Sequence, residues 1–119
     1  MKAWNELPTF LLLLQVFGAA AAIGYSWCGK QKLWENLARG ILNTSYLGIF
    51  HAAATNPSSN KLFLTFIGGG VFQNPIHWIC EAILSAGKKY QDAGLEVYVI
   101  SYSTPCTQTL KLIKDLNAL

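Results

Sequence analysis

Three consecutive glycines, Gly68, Gly69 and Gly70, constrain the fold of this chain more than any other feature. They follow a run rich in aliphatic and aromatic residues (62–67) and lead into a segment with helical apolar spacing (76–90). The order predicts a β-strand, a glycine-rich turn and a helix. Glycines allow a tight turn and a close backbone approach, and the helix directs its free N–H groups and positive dipole end at that turn. This unit predicts an anion site, most simply for phosphate groups.

Two better-known phosphate motifs do not fit this stretch. The Gly-Lys-Ser/Thr ending of a P-loop is absent, and the glycine order differs from that of the dinucleotide fingerprint. Asn74 is predicted to cap the following helix, with Pro75 at its first position. A tight strand-to-helix turn without any ligand remains the alternative interpretation, because glycine is a common turn residue.

The rest of the chain alternates between the two kinds of element. Helices are predicted over residues 33–54, from Asn74 to about Asp92 with Gly94 just beyond, and from Thr104 and Pro105 onward with Leu110, Ile113 and Leu116 on one face. Strands are predicted over residues 62–67 and 95–102, and residues 55–60 form a loop. This alternation implies an α/β protein with a parallel sheet and right-handed crossovers.

The apolar stretch at residues 7–24 has three interpretations. It imitates a secretory signal, although Glu6 and Gln15 argue against this. It is marginal in length for a transmembrane helix. The third interpretation, which we favour, is a turn followed by a buried strand over residues 14–20.

The composition restricts the classes of function. The 119 residues suffice for one domain; 52% are hydrophobic and only 13% charged, where about 25% is usual. Either part of the chain lies in a membrane, or an apolar face is covered by something else. The net charge of +3 comes without a basic stripe, so no nucleic-acid partner is expected.

The three cysteines show no zinc-type spacing and indicate a reducing compartment, hence the cytoplasm, with secretion as the alternative. Cys80 is predicted to be a small core residue. Cys106 falls in the first turn of the last helix, where a thiol pKa can be lowered. His77 and Glu81 share a helix face and are expected to form a surface pair; no metal site and no cofactor are predicted.

The run from Leu62 to Pro75, which contains Gly-Gly-Gly-Val-Phe-Gln-Asn-Pro, resembles the second phosphate-binding loop of macrodomains, the ADP-ribose-binding fold. It is most similar to a divergent branch that includes bacterial-effector ADP-ribosyl hydrolases, in which Gly-Gly-Gly-Val-Phe-Gly-Asn is typical. The resemblance implies a three-layer α/β fold, a mostly parallel sheet with helices on both faces. It covers only the C-terminal part of such a domain, so residues 1–119 would be a single domain without its N-terminal strands.

The resemblance also implies roles for individual residues. Backbone N–H groups of the glycine loop would hold a pyrophosphate, the loop aromatic would pack on the distal ribose, and the end of the last strand would lie beside the adenine. Gln73 stands where the family commonly has glycine. The implied ligand-binding residues are Gly68, Gly69, Gly70, Val71, Phe72, Gln73, Asn74, Tyr102 and Ser103.

The family's hydrolases take their key carboxylate or asparagine from the N-terminal half, and no aspartate precedes Asp92 here. We therefore expect binding of ADP-ribose or an ADP-ribosylated protein, with hydrolysis only if the missing half-site is supplied. A homo-oligomer or a partner chain is expected to cover the exposed core, and membrane association is not expected. The alternatives are a degenerate, non-catalytic interaction module and a small secreted or membrane-tethered protein.

Overall fold

The computed structural model describes residues 14–25, 31–101 and 103–119. Three helices and two strands follow one another along the chain: α1 (Gln31–Thr55), β1 (Lys61–Leu64), α2 (Ile76–Lys89), β2 (Glu96–Val99) and α3 (Thr107–Asn117). Short 3₁₀ turns lie at Ile23–Tyr25 and Gly70–Phe72. The α/β class is therefore confirmed. No helix in the described ranges is both long enough and apolar enough to cross a bilayer.

The two strands pair in parallel, in a register that sets Lys61 opposite Glu96 and Leu64 opposite Val99. The predicted parallel pairing is confirmed. Both strands are shorter than predicted, because their last residues turn away to form loops. Alternate residues face opposite sides of the sheet. Leu62 and Leu64 are buried beneath the helices, whereas Phe63 is 61% exposed on the outer face.

The helices share one core with the buried side of the sheet. α1 packs against α2, and α2 packs against α3. The side chains that meet there are apolar and recur at helical spacing: Ala38, Leu42, Tyr46, Ile49 and Phe50 of α1, Trp78, Ile79, Ala82, Ile83 and Ala86 of α2, and Leu112 of α3. Among the described residues these helices form one layer, so the three-layer arrangement stays a prediction.

The predicted strand over residues 14–20 is wrong, since this stretch is irregular. The backbone N–H of Ala19 donates to Ser45 Oγ at 3.1 Å, and Ser45 Oγ donates to the Ala19 carbonyl at 2.7 Å. A side chain of α1 thus satisfies the backbone groups that a strand would pair with a neighbour. The adjacent Phe17 is 89% exposed, so this part of the chain is not the buried strand that its sequence suggests.

Two helix predictions also need correction. α2 begins one residue later than expected, with Pro75 rather than Asn74 as its N-cap, and it ends at Lys89. α3 begins at Thr107, and its buried residues are Thr109 and Leu112. Of the three residues predicted to share one face, Leu116 packs against the core, whereas Leu110 and Ile113 are exposed. The helix packs on α2 through a face rotated by about one residue.

Candidate functional site

A cavity of about 530 Å³ opens where both strands end. Its wall combines the residues that follow each strand, the glycine loop (residues 68–74) and the first turns of α2 and α3: Thr65, Phe66, Gly69, Gly70, Asn74, Ile76, Ile79, Ile100, Ser101, Ser103, Thr104, Cys106 and Thr109. Two helix N-termini therefore converge on one space, and both dipoles favour an anion there. The volume lies within the range of about 300–1,000 Å³ typical of small-molecule sites.

The glycine loop is shaped by residues with left-handed backbone. Gly68 and Gly70 have φ angles of 78° and 58°, and Gln73 has 59°. A Cβ atom on Gly68 would lie 2.4 Å from the Cβ of Ala20, whereas one on Gly70 would meet open space. Gly68 is therefore required both by backbone conformation and by space, and Gly70 by conformation alone.

The backbone hydrogen bonds of the loop divide the predicted donors into two groups. The N–H of Gly69 donates to the Phe66 carbonyl at 3.3 Å, so this donor is engaged. The N–H groups of Gly70 and Val71 have no acceptor within the described part of the chain. These two groups are the ones that a bound anion could use.

Asn74 fixes the base of the loop. Its side chain is buried, and Nδ2 donates to the Ala21 carbonyl at 2.7 Å and to the Gly68 carbonyl at 2.9 Å. Its Oδ1 is buried and accepts no hydrogen bond from any described residue. The prediction that Asn74 caps the helix is therefore wrong. Its side chain instead joins the loop to the segment that precedes α1.

The other loop residues face outward. Val71 is 70% exposed and Phe72 is 39% exposed, so both apolar side chains can be reached by a ligand. Gly24 lies behind them: a Cβ there would fall 2.6 Å from the Val71 carbonyl oxygen and 2.9 Å from Gln73. The role of Phe72 in packing on a ribose stays a prediction.

The second predicted part of the site follows β2. Ser101 and Ser103 both line the cavity, and Ser101 Oγ donates to the Ser103 carbonyl at 2.8 Å. Tyr102 lies outside the described residues. The structure thus brings Ser103 to the same cavity as the glycine loop, as the shared edge of two parallel strands requires.

Thr109 in the cavity wall carried no signal in the sequence, whereas Cys106 was predicted to lie near the start of the last helix. Thr109 lines the cavity from inside the first turn of α3, and Cys106 occupies the N-cap of that helix. The Sγ of Cys106 lies 3.3 Å from Thr109 Oγ1, and hydrogen bonding to this hydroxyl lowers the pKa of the Cys106 thiol. A prediction of the exact helix start would have been needed to find this pair.

No charged side chain lines the cavity among the described residues. An anion would therefore be held by backbone N–H groups and helix dipoles, and no described carboxylate or imidazole is placed to act as a general acid or base.

The histidines lie elsewhere. His51 Nδ1 is 2.9 Å from the Tyr90 hydroxyl, and the His77 ring contacts Trp78. The predicted pair of Glu81 with His77 is wrong. Glu81 instead pairs with Arg39, which also forms a salt bridge with Glu35 at 3.1 Å. Across the described ranges, no three potential metal-ligating side chains come together.

Comparison of the chain with protein-family models, with curated proteins and with solved structures gives no match. The candidate site is therefore defined by its own geometry: a glycine loop and two helix N-termini around a cavity at the carboxyl ends of β1 and β2.

Proposed function

We propose that this protein binds ADP-ribose or a related nucleotide diphosphate, with the pyrophosphate at the glycine loop. The observation that carries the proposal is that the N–H groups of Gly70 and Val71 have no acceptor among the described residues. Gly70 lines the cavity on which two helix N-termini converge, and Val71 follows it directly. A pyrophosphate bridging these donors would gain charge-assisted hydrogen bonds, which are stronger than neutral ones. The exposed Phe72 ring would supply apolar contact to a sugar beside it.

The macrodomain-like, three-layer arrangement belongs to the same proposal. The β1–glycine loop–α2 unit and the following β2 and α3 have the order that the resemblance implies. Hydrolysis of an ADP-ribosylated protein would require a further acidic half-site, from another chain or from a longer gene product, because the described cavity wall holds no carboxylate. We assign the protein to the cytoplasm on the basis of its cysteine usage.

Isothermal titration of the full chain with ADP-ribose tests the proposal. We expect saturable binding that is lost in Gly70→Glu, whose carboxylate would stand in the anion site. Because a side chain at Gly70 meets open space, the new residue adds charge without a clash. The matched control is Gly70→Gln, which carries the same backbone strain without the charge and should weaken binding far less.

Absence of binding by the unmodified chain would contradict the proposal. Equal loss in Gly70→Glu and Gly70→Gln would show that loop strain, rather than repulsion of an anion, accounts for the effect.

An interaction module is the second candidate function, and one observation favours it. Phe63 and Tyr98 stack on the outer face of the sheet with ring centroids 5.0 Å apart, and both rings are exposed. Exposed stacked aromatics are typical of association surfaces. We assign this outer face to contact with a second copy of the chain, which would also cover the predicted exposed core.

A further inference from the structure

Two cysteines from different helices lie against the first turn of α3. The Sγ of Cys80, in α2, is 4.0 Å from the Gln108 carbonyl oxygen. Cys106 occupies the N-cap position of that same turn, two residues before Gln108. One helical turn spans about 5.4 Å along its axis, so both thiols lie beside a single short stretch of backbone. Neither cysteine is in a disulfide.

The two thiols differ in the way that a reactive and a resolving cysteine differ. Cys106 is exposed and sits at a helix N-terminus, where its pKa is lowered by hydrogen bonding to Thr109. Burial raises the pKa of the half-buried Cys80 thiol, and the nearby charge of Cys106 raises it further. Cys106 is therefore the thiol that an oxidant meets first as a thiolate, whereas Cys80 is less accessible.

We propose that Cys106 is a site of oxidation by peroxide and that it then closes a reversible disulfide with Cys80. In the first step the Cys106 thiolate attacks one oxygen of hydrogen peroxide; an S–O bond forms, the O–O bond breaks and hydroxide leaves. In the second step Cys80 attacks the resulting sulfenic sulfur. The S–S bond forms, and the sulfenic oxygen leaves as water with the Cys80 proton.

The disulfide would act on the cavity, because it would tie Cys106 in the cavity wall to α2, the helix whose first turn also lines the cavity. Cys106 lines the cavity directly, and Cys80 lies one turn after Ile76, which lines it from α2. Tying the N-cap of α3 to α2 would draw these two parts of the wall together. The effect on ligand binding rests on the proposed function, whereas formation of the disulfide does not.

Peptide mapping after peroxide treatment of the full chain tests the proposal directly. Cleavage at lysine places each cysteine in its own peptide: Cys28 before Lys30, Cys80 between Lys61 and Lys88, and Cys106 between Lys89 and Lys111. We expect a mass lower by two hydrogens and a linked pair of the Cys80 and Cys106 peptides, reversed by dithiothreitol. In Cys80→Ser we expect the sulfenic acid at Cys106 to persist and to react with dimedone.

The matched control is Cys28→Ser, which should form the same linked pair. In urea the preference for the Cys80–Cys106 pair should be lost, because only the fold brings the two thiols together. A link from Cys106 to Cys28, a link between two chains, or a Cys106 that reacts no faster than Cys80 with iodoacetamide would overturn the proposal.

Titration with ADP-ribose before and after oxidation separates the two proposals. We expect the oxidised chain to bind several-fold more weakly, and dithiothreitol to restore the affinity. If the reduced chain binds no ADP-ribose, the proposed function fails while the mapped disulfide stands. If the disulfide forms without changing the affinity, its action on the cavity is refuted.

Discussion

A single buried hydroxyl group fixes where β1 ends and the glycine loop begins. Tyr46 Oη donates to the Thr65 carbonyl at 2.6 Å and accepts from the Ile67 N–H at 2.9 Å. These are the backbone groups that would have continued the strand to the predicted residue 67. The side chain of α1 therefore replaces the strand ladder and sends the chain toward Gly68, while burial raises the pKa of Tyr46 to about 12.

Replacing Tyr46 with phenylalanine should lower the free energy of unfolding by about 1–3 kcal/mol, since the Thr65 carbonyl and the Ile67 N–H lose a partner at the edge of the core. Urea unfolding measures this change. Tyr98→Phe is the control, because the Tyr98 hydroxyl is exposed and makes only a long hydrogen bond of 3.4 Å to Glu96. Its effect should stay within about 0.5 kcal/mol. Equal losses in both variants would refute the role of the buried hydroxyl.

The same residue predicts a pH dependence. The folded-state pKa of Tyr46 is raised from 10.0 to about 12, so the unfolded chain releases this proton first. Its contribution to stability is complete below pH 10 and is lost as the pH rises through 12, by about 2–3 kcal/mol. Tyr46→Phe should lack this part of the loss. If the free energy of unfolding falls equally with pH in both proteins between pH 9 and pH 12, the predicted role of Tyr46 is refuted.

At the scale of elements, the apolar periodicity predicted which helices and strands exist. It was less successful in predicting how those elements pack. α1 and α2 were predictable because their apolar residues recur at helical spacing, and β1 because it precedes the glycines. Residues 14–20 were not, because the bonds of Ala19 to Ser45 leave no pattern in the sequence. The face of α3 was also missed, since Thr109 is buried at the cavity while the apolar Leu110 is exposed.

The glycines within helices give a graded test at this scale. Gly40 and Gly48 of α1 have open space where a Cβ would lie, so Gly40→Ala and Gly48→Ala should each stabilise the protein by about 0.4–1 kcal/mol. Gly87 of α2 differs, because a Cβ there would fall 2.8 Å from Leu116 Cδ2. Gly87→Ala is therefore expected to be neutral or destabilising. Thermal melts compare the three variants, and stabilisation by Gly87→Ala would contradict the described packing of α2 on α3.

At the scale of the whole molecule, the apolar composition left two possibilities, a part in a membrane or an apolar face covered by something else. The described sheet carries two exposed aromatic rings, and what covers them stays a prediction. The order of strand, glycine turn and helix was predictable from the glycine run, as was the meeting of two loops at the strand ends, whereas anion binding stays a prediction. The hydrogen bonding of the loop N–H groups was not predictable: Gly69 donates to Phe66, whereas Gly70 and Val71 have no acceptor in the described ranges. It depends on the backbone angles of the turn, which the sequence constrains only through its glycines.

Association through the outer face should depend on Phe63. In Phe63→Glu the new carboxylates of two associating chains would face each other and repel. We therefore expect light scattering to give the single-chain mass of 13.1 kDa for this variant and a larger mass for the unmodified chain. Leu110→Glu is the control, because Leu110 is exposed on α3 and not on the sheet. Equal masses for all three proteins, or dissociation of the control as well, would contradict this assignment.

The hydrogen bond between Asn74 Nδ2 and the Ala21 carbonyl determines where the protein can be shortened without disturbing the glycine loop. An expression fragment that starts after residue 25 would keep every helix and strand described above, and its spectrum of secondary structure would look intact. It would nevertheless lack the acceptor that secures the base of the glycine loop and the residues packed behind Val71 and Gln73. A negative ligand screen on such a fragment would therefore say nothing about the glycine loop of the longer chain.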